Sequence, residues 1–583
     1  MRWSILVVLA SCGVAELSSA EGQAPRDEEH QKEEWSSADS PFLFASDLET
    51  RFDALPQSGE AARVPWPGSY WPVSNDTINF RWGSGESAAK KYERAFGGSA
   101  VEDAVSKVHG IDGATAQRAC VSDTACDSTR DEVCAKRRGA TSGHCIPTWW
   151  GICHAWTPAA ILLPEPRRAV VRNGVTFEVQ DLKALASLVH DRTRTRFASL
   201  RCNTPSSAFA FDHYGRPTDA ACRDTNAGTY HVLLANYLGR LHQSFAEDRT
   251  IDDQVWNQPL RSFDVVSRRD VGAAEANRWV GASGSTWTFN PAAARLVEVV
   301  TEVRYVSESD PATGYVGAAV DRYTRTDRYQ YVLELDAAGK IIGGEWASSS
   351  QLSHPDFVWL PLGPAADTVA GGAIRYDLVK ALVLESAGPA PGAATPAQVE
   401  SFSLARGEWR FLGPYPTAPG LITVTMTGNG DADLYVRMGG QASSALYDCR
   451  PWLATSNETC RMTGPGPLYV AVHADAAAAV TVRVAAGAGP KLSVSGSVAL
   501  GQLEVYRLAV TGGRALTVRT AAPADVDLYL RMGAAPTVST YDARAFTSSG
   551  NEVLRFVPPV TGTLLIAVHG YAASAFTLAV TEE

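Results

Sequence analysis

The stretch PTWWGICHAW, residues 147–156, sets a cysteine between aromatic and small residues. Cys153 has two chemical uses: it can close a disulfide, or its thiolate can attack a carbonyl carbon. Pro147 and the Trp149-Trp150-Gly151 run lead into ICHAWTPAAIL, which is rich in helix formers. A cysteine at a helix start meets backbone N–H groups that lack intrahelical partners, and the positive end of the helix dipole. Both favour the thiolate, the nucleophilic form. The competing reading is a buried cysteine that packs as a small hydrophobe.

A cysteine nucleophile needs a base. His154 adjoins Cys153, but neighbours on a helix point about 100° apart and do not face each other. Of the eleven histidines, His231 is the best candidate. It lies in DTNAGTYHVLLANYLG, where Asn226 and Gly228 predict a turn and the apolar run that follows predicts a buried strand. Asp248 comes seventeen residues later, a spacing that suits a short hairpin. Cys153, His231 and Asp248 would then be nucleophile, base and the carboxylate that fixes the imidazole tautomer. Asn257 in VWNQP is the rival orienting residue. A developing oxyanion needs donors, and the backbone N–H of Cys153 and an indole N–H of Trp149 or Trp150 are the candidates. The alternatives are a core histidine at His231 and plain packing for the two tryptophans.

Whether Cys153 has a partner depends on the other nine of the ten cysteines. The chain opens MRWSILVVLASC, with one positive charge at Arg2, a short apolar run and then Leu9-Ala10-Ser11-Cys12. This pattern predicts a bacterial lipoprotein signal, residues 1–21, in which Cys12 is acylated and becomes the new N-terminus. The alternative is a secretory signal cut near Ser18-Ser19-Ala20. Either event takes Cys12 out of the pairing pool and leaves an odd number. Cys120, Cys126, Cys134 and Cys145 stand in a Gly/Asp/Ser/Thr-rich stretch that predicts a loop-rich insert held by two disulfides. Three pairings are open. Zinc is the alternative there, although spacings of six, eight and eleven lack the C-x-x-C knuckle. Cys202 and Cys222 flank a Pro/Asp/Gly-rich loop and predict a further bridge. Cys153 is expected to remain unpaired in the mature chain.

These residues need elements to hold them. Residues 22–54 begin polar and acid-rich (GQAPRDEEHQKEEWSSADS), which predicts a flexible tether or pro-segment. Residues 55–385 would be the catalytic domain, and the Pro/Ala/Gly-rich run at 386–398 a linker. Beyond it the sequence repeats: DADLYVRMG at 431–439 returns as DVDLYLRMG at 525–533, ninety-four positions later. YDCRPW at 447 pairs with YDARAF at 541, and the histidines His473 and His569 also correspond. Alternating apolar residues and frequent turn residues predict two small β-sandwiches, 399–488 and 489–583. Cys449 and Cys460 align with Ala543 and Leu554, so both cysteines are absent together in the second copy, as expected of a bonded pair. Asp431 and Asp433, with Asp525 and Asp527, recur at i, i+2 and could present two carboxylates to one calcium ion; a solvated acidic turn is the alternative. The net charge of −11 and the absence of a basic stripe argue against nucleic acid. No run after the signal approaches the roughly 20 apolar residues of a spanning helix, so membrane contact is expected only through the lipid anchor.

The repeats resemble bacterial pre-peptidase C-terminal domains through the D-x-D-L-Y-x-R core that both carry. Gly-Ile-Cys-His-Ala-Trp resembles the nucleophile helix of papain-like cysteine enzymes, although Pro147 stands where those peptidases place a glutamine. VWNQPLRSF at 255–263 closely resembles the elicitor peptide of the oomycete transglutaminase elicitors. VPWPGSYWP at 64–72, IIGGEWASSS at 341–350 and HPDFVWLP at 354–361 are similar to that family as well. The resemblance implies an α+β papain/transglutaminase-like cysteine-enzyme domain followed by two all-β sandwich domains. It implies a protein-glutamine γ-glutamyltransferase that needs no cofactor and no calcium for catalysis, acts on protein glutamine and lysine side chains, and is made as a precursor. Competing functions are a cysteine peptidase or protein-glutamine deamidase, and a non-catalytic surface adhesin. The tail modules would bind a cell surface or matrix, and the whole chain would be exported.

Overall fold

The computed structural model describes residues 35–81, 85–223, 225–388, 397–486 and 492–582. Residues 35–388 build an α+β domain on one antiparallel sheet. Its strands are β1 (Ser58–Glu60), β2 (Arg194–Ala198), β3 (Ala246–Asp248), β4 (Asn257–Val271), β5 (Arg295–Val306), β6 (Thr324–Leu335), β7 (Ile341–Trp346) and β8 (Val358–Gly363). They lie in the order β7-β6-β5-β4-β3-β8-β2, with β1 beside β4. The long strands are rich in Val, Tyr and Thr, side chains that suit a pleated surface. Among the described residues seven α-helices accompany them: α1 (Ala88–Phe96), α2 (Val101–His109), α3 (Cys153–Leu162), α4 (Val179–Val189), α5 (Ala227–Leu233), α6 (Ala273–Trp279) and α7 (Tyr376–Ala387).

Side chains alternate across a strand, so the sheet has two faces with different tenants. Phe245, Leu260, Val358 and Leu360 point to one face, where they share a core with Tyr230, Val232 and Leu233 of α5. Ala246, Phe357 and Trp359 point to the other, where they pack with Ile161 and Leu162 of α3. Helices α3, α4 and α7 form a second core through Trp156, Ala160, Leu185 and Val383. A Glu178–Asp181 capping box starts α4, satisfying backbone N–H groups that would otherwise lack partners.

Three expectations about order need correction. Residues 35–54, expected to be a flexible tether or a pro-segment, are packed and so are not a flexible tether: Phe44 and Phe52 are buried and Asp39 accepts a hydrogen bond from the Asn226 N–H at 2.6 Å. The acid-rich composition stops before Trp35, and the aromatic residues after it bury against the sheet. His231 lies on a helix, not a strand. Asn226 caps α5 by accepting from the N–H groups of Gly228 and Thr229, and the run that follows is apolar because the helix is buried. Helix α7 extends to Ala387, inside the expected linker. The signal residues, Cys12 among them, and the rest of the linker lie outside the described residues.

The expected disulfides are present. Cys120–Cys134 and Cys126–Cys145 staple the insert, Cys202–Cys222 closes its loop, and Cys449–Cys460 is the fourth. The sulfurs of Cys120, Cys126 and Cys145 lie within 4.8 Å of one another, but as disulfide sulfurs they are not the thiolates that zinc requires. The insert is therefore a covalent staple.

Strands β9 (Gln398–Leu404), β10 (Trp409–Gly428), β11 (Ala432–Met438), β12 (Glu458–Ala474) and β13 (Ala478–Ala486) form the first tail domain as a single sheet, β9-β13-β10-β12-β11. Strands β10 and β12 stay paired across the whole domain, with register shifts near Leu412–Tyr415 and Thr417–Gly420. The second domain instead has two four-stranded sheets. Strands β14 (Leu492–Val498), β15 (Leu503–Val510), β16 (Leu516–Ala521), β17 (Val526–Met532), β18 (Ala543–Ala545), β19 (Val553–Phe556), β20 (Gly562–Gly570) and β21 (Ser574–Glu582) are ordered β14-β21-β16-β19 and β15-β20-β17-β18. Of the two expected β-sandwiches, the second copy has the two-sheet arrangement. In the first, the two layers are joined through β10 and β12.

Candidate active site

Cys153 is the first residue of α3, and Ile152, which precedes the helix, offers no side-chain cap. The approach to the helix is fixed by the backbone. Ile152 N–H donates to the Tyr70 carbonyl at 2.7 Å, and a Cβ on Gly151 would come within 2.4 Å of that same oxygen. Only glycine fits there.

The Cys153 sulfur is buried. It lies 3.6 Å from the Val255 carbonyl oxygen and 3.6 Å from Asn257 Nδ2. Asn257 is held on both sides: Trp359 Nε1–H donates to its Oδ1 at 2.7 Å, and Thr157 of α3 donates to its carbonyl oxygen at 2.7 Å. An indole N–H can only donate, so it selects the Oδ1 edge of the amide and turns the NH2 toward the sulfur. Asn257, the rival residue of the sequence reading, is thus the one that touches Cys153. Trp359 was missed as a site residue, although it lies within HPDFVWLP.

Cys153 is disulfide-bonded in this structure, and no cysteine among the described residues is free. The expectation of an unpaired Cys153 concerns the mature chain, after processing takes Cys12 out of the pairing pool.

Asp248 lies opposite Asn257 on the neighbouring strand, on the sheet face that packs against α3. Its Oδ1 accepts from the Trp256 N–H at 2.8 Å, and its buried Oδ2 has no hydrogen-bond partner. Burial pushes its carboxyl up to about 8, against backbone hydrogen bonds from Trp256 and Thr250 that act to lower it.

His231 is elsewhere. Its Nδ1 is 2.8 Å from the Tyr331 hydroxyl, its ring lies beside Phe52, and α5 packs on the opposite face of the sheet from α3. Burial lowers its pKa to about 3, helped by the charge of Arg268, so it is a neutral core imidazole at working pH. The structure brings Cys153, Asn257 and Asp248 to one side of the sheet and leaves His231 on the other. The expected pairing of Asp248 with His231 is corrected for that reason.

His154 is turned away from Cys153 and held by Asp191, which follows α4: Nε2 and Oδ1 are 3.0 Å apart, and His109 of α2 stands 3.7 Å from the other oxygen. Although burial opposes it, His154 and His109 hold the Asp191 carboxyl below its ordinary value. Nothing in the sequence linked these three residues. Trp150 packs with Ile111, Ala135 and Ile146 of the disulfide insert and stacks edge-on with Trp149. Both tryptophans are half-buried, and they line a pocket of about 590 Å³ with Asp131, Arg201, Asp252 and Asp253. That pocket lies between the residues leading into α3 and those leading into β4.

In the tail, the two aspartate pairs differ. Asp433 is buried, and its Oδ2 accepts from Arg450 at 2.7 Å. The matching Arg544 lies over Phe546, and Asp527 has His569 3.9 Å away. Burial and the neighbouring Asp525 raise the Asp527 pKa.

A family model described as transglutaminase elicitor matches residues 40–388, and one described as bacterial pre-peptidase C-terminal domain matches residues 503–570. Among solved structures, the GP42 transglutaminase from Phytophthora sojae is 40% identical with a TM-score of 0.52; the match covers 59% of this chain and 95% of that one. Xanthomonalisin from Xanthomonas sp. (strain T-22) is 45% identical over 49 residues, 8% of this chain and 6% of that protein. Alkaline serine exoprotease A from Vibrio alginolyticus is 36% identical over 84 residues, 14% of this chain and 15% of that protein. The chain therefore spans only a small part of the length of these two curated relatives. The elicitor model covers more than half of the chain, and the chain belongs to the transglutaminase elicitor family.

Proposed function

We propose that the protein is a calcium-independent protein-glutamine γ-glutamyltransferase that joins glutamine and lysine side chains through a thioester on Cys153. The observation that carries this reading is the locked Asn257 amide beside Cys153 at the uncapped start of α3. It lies in a domain that covers nearly all of a solved transglutaminase.

The thiolate of Cys153 attacks the carboxamide carbon of a protein glutamine. The N–H groups at the α3 start and Asn257 Nδ2 stabilise the developing oxyanion. Asp248 carries the proton: it takes it from the thiol and returns it to the departing nitrogen, which leaves as ammonia. Its raised pKa of about 8 suits exchange with a thiol of ordinary pKa near 8.5. A lysine amine then attacks the thioester, restoring the thiol and leaving an isopeptide bond. Water in its place gives deamidation. The pocket beside Trp149 and Trp150 suits an incoming ammonium, since Asp131, Asp252 and Asp253 outnumber Arg130 and Arg201 around it.

Disulfides and a pre-peptidase C-terminal domain fit an exported protein. No helix among the described residues is long and apolar enough to cross a membrane. Acylation at Cys12, surface or matrix binding by the tail, and a calcium site at Asp525 and Asp527 belong to the same proposal.

The test is incorporation of a labelled primary amine into a glutamine-donor protein, with ammonia measured in parallel. It is run with a dithiol reductant that opens the Cys153 disulfide, and with Cys153→Ala as control. Amine incorporation that depends on Cys153 supports acyl transfer. Backbone cleavage of the donor without incorporation would replace it with a peptidase.

A further inference from the structure

The two tail domains offer an internal comparison. The loop Gly439–Tyr447 after β11 corresponds, ninety-four positions on, to Gly533–Tyr541 after β17. In the first copy Gly439, Gly440, Gln441, Ala442, Ser443 and Leu446 are buried. In the second, five of the six matching positions, Gly533, Ala534, Ala535, Thr537 and Thr540, are exposed, and Pro536, which matches Ala442, is buried. Gly439 and Gly533 share a left-handed backbone, with φ of 89° and 74°. A Cβ on Gly439 would come within 2.9 Å of Leu384 and 3.3 Å of Pro164, whereas one on Gly533 would meet nothing within 4 Å. The same loop is docked in one copy and open in the other.

What it docks against is the far end of the nucleophile helix. Leu446 is buried in one apolar cluster with Ile161 and Leu162 of α3 and with Ala246, Phe357 and Trp359 of the sheet. Trp359 is the residue that orients the Asn257 amide. Arg63 donates to the carbonyls of Ala160, Ile161 and Leu163, which end α3, and so supplies positive charge where the helix dipole is negative. A Cβ on Gly440 would lie 3.2 Å from the Leu162 carbonyl oxygen and 3.3 Å from Arg63. Leu384 of α7 enters the core of the first tail domain beside Met438 and Leu468.

We infer that the Gly439–Tyr447 loop is a positioning element for α3, so that residues 397–486 are part of the catalytic unit and only the second sandwich is a peripheral module. The loop closes the apolar end of α3 and excludes water from the Arg63 cap. It thereby fixes the axial position of the helix that carries Cys153 at its other end. The docking itself is independent of the acyl-transfer reading; its effect on rate rests on that reading.

Full-length Leu446→Asp and Gly440→Leu are compared with Thr540→Asp and Ala534→Leu, the same changes at the matching sites of the second copy. Amide hydrogen exchange is read over residues 159–163, and kcat and KM are read from amine incorporation. The first pair should raise exchange at the end of α3 by about tenfold or more. The same pair should lower kcat about tenfold with KM within about twofold. The second pair should match the parent in every readout. Leu446→Ala, a smaller change, keeps the test usable if Leu446→Asp does not fold. Unchanged exchange at 159–163 while the loop itself opens would overturn the inference, as would equal effects from both copies. Raised exchange in a protein whose parent lacks amine incorporation would sink the proposed function and leave the docking intact.

Discussion

His231 decides between two pictures of the protein, because it was the expected base and the structure makes it a neutral core residue. The change is His231→Asn, which keeps a polar group within reach of the Tyr331 hydroxyl now 2.8 Å from Nδ1. Burial depresses the folded pKa from 6.5 to about 3. The neutral ring therefore contributes stability above the unfolded value, and that contribution is lost as pH falls from 6.5 toward 3. At about pH 5 the unfolded ring is protonated and the folded ring is not, so stability falls by about 2 kcal/mol between about pH 7.5 and about pH 5. Urea denaturation followed by tryptophan fluorescence at the two pH values reads this term in the parent and in the variant. The variant is expected to be less stable by about 1–3 kcal/mol near neutrality, from lost packing. Its dependence on pH should be shallower than the parent's by about 2 kcal/mol over the same window. Its kcat should stay within a few-fold of the parent, since the sheet lies between the ring and the sulfur. Parallel stability curves together with a rate loss of about a thousandfold or more would refute this reasoning and return His231 to the chemistry.

Cys153→Ala is expected to abolish amine incorporation while leaving the melting temperature of the reduced protein nearly unchanged, measured by calorimetry. Asn257→Ala should lower kcat by about a hundredfold or more if its amide stabilises the oxyanion, with little change in KM. As a base Asp248 must be ionised, so the parent rate should rise with pH through about 8, and Asp248→Asn should remove that limb of the pH–rate profile. Asp191→Asn should destabilise the catalytic domain by about 1–3 kcal/mol near neutral pH. Its carboxyl is held below its ordinary value, so the stabilisation is present above the unfolded pKa and fades as pH falls through the folded one; acid denaturation of parent and variant should converge. Calcium should raise the melting temperature of the full-length tail only through the second copy, with Asp527→Asn abolishing the shift and Asp433→Asn keeping it, because Arg450 already occupies Asp433.

What the sequence made legible was local chemistry. The helix start at Cys153 follows from a break and a run of helix formers that are adjacent in the chain, and the Cys449–Cys460 bridge follows from two cysteines lost together in the repeat. Asp248 was singled out by its spacing from His231 and Asn257 by its place in VWNQP, and the two stand opposite each other on neighbouring strands. The error at His231 was of another kind. Seventeen residues of spacing to Asp248 suit a hairpin, but facing is set by strand parity: Glu247 points to α5, where Tyr230 donates to it at 2.6 Å, and Asp248 points to α3. One residue of register separates the two sides, and no local pattern carries that parity. The tail shows the same limit from the other direction. Gly440 against Ala534 and Leu446 against Thr540 are plain differences between two aligned loops. Each is a conservative-looking choice by composition, and only the presence of α3 and Arg63 on one side makes glycine and leucine necessary there. A repeat therefore tells which positions have diverged, and the contact made by one copy alone tells why.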